Sequence, residues 1–107
     1  MFKFKKPNLN ENRIKQKQRE SQIISESTLY IKNKIQQTLD IACNSEISCN
    51  FLYNQIFQGI SNENVKTIII NTFDNIVEEL KNSEIKATYE IIKTNDSYTN
   101  IILNMII

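Results

Sequence analysis

Between Val65 and Leu80 the sequence reads VKTIIINTFDNIVEEL, with apolar side chains at 65, 68, 69, 73, 76, 77 and 80 and Thr72 in the one remaining place. This is the i, i+3, i+4, i+7 spacing of a helix with one wide apolar stripe. The flanks agree. Ser61 is a natural N-cap, and Ile60 and Val65 occupy the N′ and N4 positions of a hydrophobic staple. Glu63 sits in the positive first turn and Lys81 in the negative last turn. The pattern predicts a helix over about 62–82, and its stripe obliges the rest of the chain to supply a layer that covers it.

Three segments read as strands. In EISCNFLYN, Ile47, Cys49, Phe51 and Tyr53 point one way while Ser48, Asn50 and Leu52 point the other. QIFQG follows, and Gly59, the sole glycine, marks a bend or a positive-φ position. After the helix, Ile85, Ala87, Tyr89 and Ile91 share a strand face. TNDS (94–97) is rich in turn residues, and Thr99, Ile101, Leu103, Met105 and Ile107 form the apolar face of a last strand. Ile102 and Ile106 on its other face mark that strand as well covered.

Upstream, Ile24, Ile31, Ile35, Leu39 and Ala42 form a helical stripe with Thr28 and Thr38 beside it, so a first helix packs from about Ile23 to Ala42. CNSEIS ends it. The order is helix, strand, helix, strand, strand, which gives an α+β fold. A strand–helix–strand crossover should be right-handed and makes the first two strands parallel where they are neighbours; the hairpin then adds an antiparallel strand. The expected architecture is a three-stranded mixed sheet with both helices on one face. At 107 residues the chain has room for one domain, residues 23–107, preceded by a basic, polar extension over 1–22. Tyr30, Ile41, Leu52, Ile70 and Ile92 fall off the main stripes, and beside an open strand edge they point to self-association.

Residues 1–35 carry nine basic and three acidic side chains, and residues 36–107 carry four and nine, so a net charge of +1 conceals a dipolar molecule. The positive end is FKFKKPNLNENRIKQKQR. Residues 1–9, with the only proline, read as extended; Asn10 or Asn12 is placed to cap the helix that follows. From Lys15 to Gln22 the helix is polar on every side, so no core holds it, and it projects into solvent or is ordered by a partner. Lys3, Lys5, Lys6, Arg13, Lys15, Lys17 and Arg19 are the candidate nucleic-acid-binding residues, since cations on a mobile arm neutralise phosphates without reading sequence. Phe2 and Phe4 are placed to stack on unpaired bases. The competing readings are a merely soluble arm, or one that docks on an acidic protein surface such as residues 36–107 of a second copy.

Little else points to chemistry. The chain has no histidine, the usual general base near neutral pH. Cys43 and Cys49 read as free thiols, with Cys49 on the inward strand face, and two thiols do not complete a zinc site. Asp74, Glu78 and Glu79 lie on the polar face of the second helix as a solvated cluster, and one glycine cannot build a phosphate-cradling loop. The expectation is therefore a non-enzymatic protein with no cofactor, no metal and no small-molecule substrate. No apolar run approaches about 18 residues, and no apolar segment follows the N-terminal lysines, so neither a membrane span nor a secretory signal is expected; the expected location is intracellular.

The chain holds 20 Ile and 15 Asn against two Ala, a bias toward A- and T-rich codons. With that composition, the succession IQQTLDIAC, EISCNFLY, VEELKNSEIKATYEI and YTNIILNMI over residues 31–107 resembles the small α–β–α–β–β proteins of large DNA viruses and of phages of AT-rich hosts. The chain departs from that group in having Ser83-Glu84-Ile85 where a Gly-Tyr step is common, and in ending Asn104-Met105-Ile106-Ile107 without an Ile-Ser-Trp-like close. The resemblance implies a viral or phage origin and a binding or virion role; it carries over no functional residue. The leading expectation is a protein-interaction or assembly protein, its folded part supplying a sheet edge and an acidic surface. The alternative is a sequence-indifferent nucleic-acid binder that uses the basic arm.

Overall fold

A computed structural model describes residues 1–107, the side chain of Asn62 excepted. Helix α1 runs Leu9–Asp40, strand β1 Glu46–Leu52, helix α2 Asn62–Asn82, strand β2 Lys86–Thr94 and strand β3 Ser97–Ile106. The element order and the bounds of α2 are those the spacing predicts. Val65, Ile69, Phe73 and Ile76 of its stripe are buried, together with Thr72. The staple residues Ile60 and Val65 are buried as well, and Ser61 is the N-cap as expected. Its hydroxyl makes no capping bond, and its carbonyl instead accepts from the N–H groups of Asn64 and Val65 at 3.0 and 3.2 Å. At the other end, the N–H of Ile85 returns to the Leu80 carbonyl at 2.9 Å across Glu84 at φ 65, a left-handed exit that turns the chain into β2.

Helix α1 starts earlier than expected. Asn8, not Asn10 or Asn12, is the N-cap, and its side-chain oxygen accepts from the Glu11 N–H at 3.0 Å. The helix then continues for 32 residues and ends one turn-residue short of Ala42. Ile31 and Ile35 are buried, Ile23, Ile24 and Leu39 partly so.

The sheet is antiparallel throughout, with strand order β1-β3-β2, and the expected mixed sheet is not formed. Asn95 and Asp96, at φ 50 and 63, make the two-residue turn that folds β3 back on β2. The free side of β3 then takes β1, with Cys49 opposite Leu103 and Phe51 opposite Ile101. β1 and β2 do run in the same direction, but β3 lies between them, so no parallel pair exists. Central placement accounts for the two-sided apolar character of β3: both of its edges are covered, although Ile106 on the outer face stays exposed.

Cys49, Phe51, Ile101, Leu103 and Met105 join the helix stripes in one core, with Ala87, Tyr89 and Ile91 packed against it. Phe73 is the centre of this layer, edge-on to Phe51 at 5.6 Å and tilted against Tyr89 at 5.4 Å. The opposite sheet face carries Ser48, Asn50, Leu52, Lys86, Thr88, Glu90 and Asn104, all exposed. Gly59 has φ +95, and a Cβ there would stand 3.0 Å from Ile23 Cδ1, so this glycine allows the β1–α2 loop to close on α1.

Candidate interaction surfaces

The two edges of the sheet differ. The Tyr53 N–H bonds to the Thr99 carbonyl and the Ile107 N–H to the Ser45 carbonyl, so odd-numbered residues of β1 turn toward β3 and even-numbered ones turn outward. Two of those outward carbonyls are occupied. Lys34 Nζ reaches from α1 to the Asn50 oxygen at 2.5 Å, and the Gln55 N–H takes the Leu52 oxygen at 3.0 Å. Lys34 also stands 4.8 Å from the centre of the Phe51 ring. Thr38 Oγ1, 3.0 Å from Cys49 Sγ, adds a second contact between α1 and β1. The β1 edge is thus shielded by α1.

The same alternation runs across β3 and reverses at β2. Lys86, Thr88, Glu90 and Ile92 pair with β3, and the backbone groups of Ala87, Tyr89 and Ile91 face outward. Among the described residues no hydrogen bond engages those outward groups. A bulge between Ile92 and Lys93 ends the flat part of the edge. Tyr89 holds β2 to α2: its hydroxyl donates to Asp74 Oδ1 at 2.6 Å. Burial, then this bond and the Asp74 charge, push the Tyr89 phenol up to about 12. A hollow with an apolar floor of Val77, Ile85 and Ala87, bordered by Lys81, Glu84 and Lys86, lies beside the edge.

The basic extension has two parts. Lys3, Lys5 and Lys6 precede the helix, and Arg13, Lys15, Lys17 and Arg19 stand on its first turns; all seven are exposed. At about 100° per residue, Arg13 and Lys17 share one side of α1 while Lys15 and Arg19 share the opposite side. The structure therefore gathers these cations along a rod but not on one face. Residues 9–22 have no side chain in the core and extend about 20 Å from it as a helical stalk. Glu20 accepts from Gln16, and the only ion pair among the described residues is Lys32–Glu79 at 3.0 Å, so no acid of the chain pairs with the stalk cations. Phe2 and Phe4 sit edge to face at 4.8 Å, both exposed.

Sequence reasoning missed a second basic cluster, at the sheet end from which the stalk leaves. Lys66 Nζ donates to the Tyr98 hydroxyl at 2.8 Å, Lys66 and Lys93 lie 5.0 and 5.4 Å from the Tyr98 ring centre, and Tyr53 stacks on Tyr98 at 5.2 Å. The Lys66 bond lowers the Tyr98 phenol and raises the Lys66 ammonium, while burial, then Tyr98, raises Tyr53. These positions are scattered in the sequence and carry no local signal. Asp74, Glu78 and Glu79 are all exposed, as expected, and two of them also have partners: Asp74 binds Tyr89 and Glu79 binds Lys32.

Cys49 is buried and Cys43 exposed, and both thiols are free. Among the described residues no group of three or more Cys, Asp or Glu is placed to hold a metal ion, and no helix is long and apolar enough to cross a membrane. No family model, curated protein or solved structure matches the chain.

Proposed function

We propose that this chain is a non-enzymatic protein-interaction and assembly protein that works by accepting a further strand on the outer edge of β2. The observation that carries this reading is the contrast between edges: α1 shields β1 through Lys34, whereas the outward groups of Ala87, Tyr89 and Ile91 have no partner among the described residues. An unpaired edge is a template for another strand, and soluble proteins ordinarily cover or break such edges. The resemblance to small viral and phage proteins agrees with a role in a particle or as an accessory factor.

The test is Ala87→Pro. The Ala87 N–H faces outward, so proline there blocks an added strand without removing a bond from the β2–β3 ladder. The unaltered chain should form a defined oligomer or a stable complex, and Ala87→Pro should abolish it while retaining the far-ultraviolet circular dichroism of the fold. A chain that stays monomeric at high concentration and is recovered alone from its native source overturns the reading.

A second reading, nucleic-acid binding through the stalk, is favoured by one observation. The four cations of the stalk and the three that precede it are exposed and, among the described residues, unpaired, and Lys66 and Lys93 stand at the sheet end from which the stalk leaves. Cations on opposite sides of one helix suit backbone neutralisation over sequence reading. All core residues lie at Ile23 or beyond, so removal of residues 1–19 leaves the core whole. Binding to duplex DNA and single-stranded RNA that falls steeply with salt and disappears on that deletion supports this reading; equal behaviour of both chains removes it.

A further inference from the structure

Resting on the strand-addition reading above, we infer that the partner at the β2 edge is a second copy of this chain, paired antiparallel about a two-fold axis at Thr88. Two copies then form one continuous six-stranded sheet. Three features of the edge select both the partner and the register.

The first is parity. Only odd-numbered residues of β2 offer backbone groups outward, so an antiparallel self-pairing must place odd opposite odd. This leaves a few registers, each defined by the residue on the axis. The second is charge. With Thr88 on the axis, Lys86 of each copy stands opposite Glu90 of the other, twice by symmetry and on the solvent face. Both side chains are exposed, and among the described residues neither has an ion-pair partner. Moving the axis to Glu90 sets Glu90 against itself, and moving it to Ala87 sets Glu90 against Glu84. An axis at Tyr89 leaves Glu90 opposite Thr88 with no cation directly across.

The third feature is side-chain size on the core-facing side. The Thr88 register sets Ala87 opposite Tyr89, the smallest residue of the strand against the largest, and each such pair exchanges two backbone hydrogen bonds. Beyond them, Ile91 offers its N–H to the carbonyl of Ile85, whose own N–H already serves Leu80. Ile85 lines the apolar floor of the hollow with Val77 and Ala87, so the added strand runs along that hollow and Ile91 of the second copy falls against it. The bulge at Ile92/Lys93 and the left-handed Glu84 bound the pairing at its two ends. Charged residues on an edge strand ordinarily deter pairing; in this register they select one partner over others.

The experiment is sedimentation equilibrium of the full chain as unaltered protein, Lys86→Glu, Glu90→Lys and the double variant Lys86→Glu/Glu90→Lys. The unaltered chain should be a dimer. Each single reversal places like charges opposite twice over and should raise the dimer dissociation constant roughly tenfold or more. The double variant restores opposite charges and should return the constant to near its starting value. A dimer indifferent to all three changes overturns the register while leaving the assembly reading in place. An unaltered chain that is monomeric throughout overturns self-pairing, and strand addition would then rest on a heterologous complex sensitive to Ala87→Pro.

Discussion

Lys34 Nζ donates to the Asn50 carbonyl at 2.5 Å, and through that bond a helix closes one edge of the sheet. Replacing Lys34 with Met keeps the apolar stem but removes the ammonium. The β1 edge then gains an unpaired carbonyl. With the β2 edge paired in the proposed dimer, Lys34→Met would leave the β1 edges free to pair in turn and should shift the chain toward larger, concentration-dependent assemblies, which light scattering would register.

Burial of the Tyr89 phenol, then its bond to Asp74, makes stability depend on alkaline pH. The folded-state phenol titrates near about 12, above the ordinary 10.0, so below pH 10 both states hold the proton and the stabilisation is whole. Between roughly pH 10 and 12 the unfolded chain loses that proton first, and stability falls as pH rises. Tyr89→Phe should flatten this decline relative to the unaltered chain in urea titrations across the window. Equal slopes in the two proteins count against a raised Tyr89 phenol.

Phe73 is fully buried between Phe51 and Tyr89, at the point where α2 meets the sheet. Phe73→Ala should cost about 3–5 kcal/mol through lost transfer energy and a residual cavity. For a domain with a small core this is a large fraction of the total. Chemical denaturation should show a much lower midpoint, and exchange of the β3 amides should rise with it.

Gly59→Ala meets two obstacles at once: a φ of +95 and a Cβ 3.0 Å from Ile23 Cδ1. A loss of about 1–3 kcal/mol is expected from the backbone conformation and the displaced Ile23. Ile23→Val shortens the offending side chain, so adding it to Gly59→Ala should recover part of the loss. Thermal midpoints of the two variants decide the matter.

Much of this architecture is set by short-range patterns. The stripe from Val65 to Leu80, the alternation Ile47–Cys49–Phe51 and the Asn95-Asp96 turn each use residues within a few positions of one another, so periodicity and turn chemistry define α2, the strands and the hairpin. The exposed positions of Arg13, Lys15, Lys17 and Arg19 are likewise local, because that part of α1 has no apolar stripe to bury. Asn8 shows the limit of such signals: Asn8, Asn10 and Asn12 lie within five residues of one another, and composition alone does not distinguish which one caps the helix.

Strand order is of another kind. Ile101 pairs with Phe51 on one side and Ile91 on the other, and the insertion of β3 between β1 and β2 depends on contacts distant in sequence. The right-handed crossover rule fixes the path of a connection but not which strand fills the centre. The contacts that distinguish the surfaces are long-range too: Lys34 with Asn50, Asp74 with Tyr89, Lys66 with Tyr98. Local spacing determined which residues form each element and which face each element buries, because backbone geometry repeats over a few residues. Tertiary structure alone decided which strand is central, which edge a lysine closes and which edge stays open, because those outcomes depend on side chains that meet only after the layers have packed.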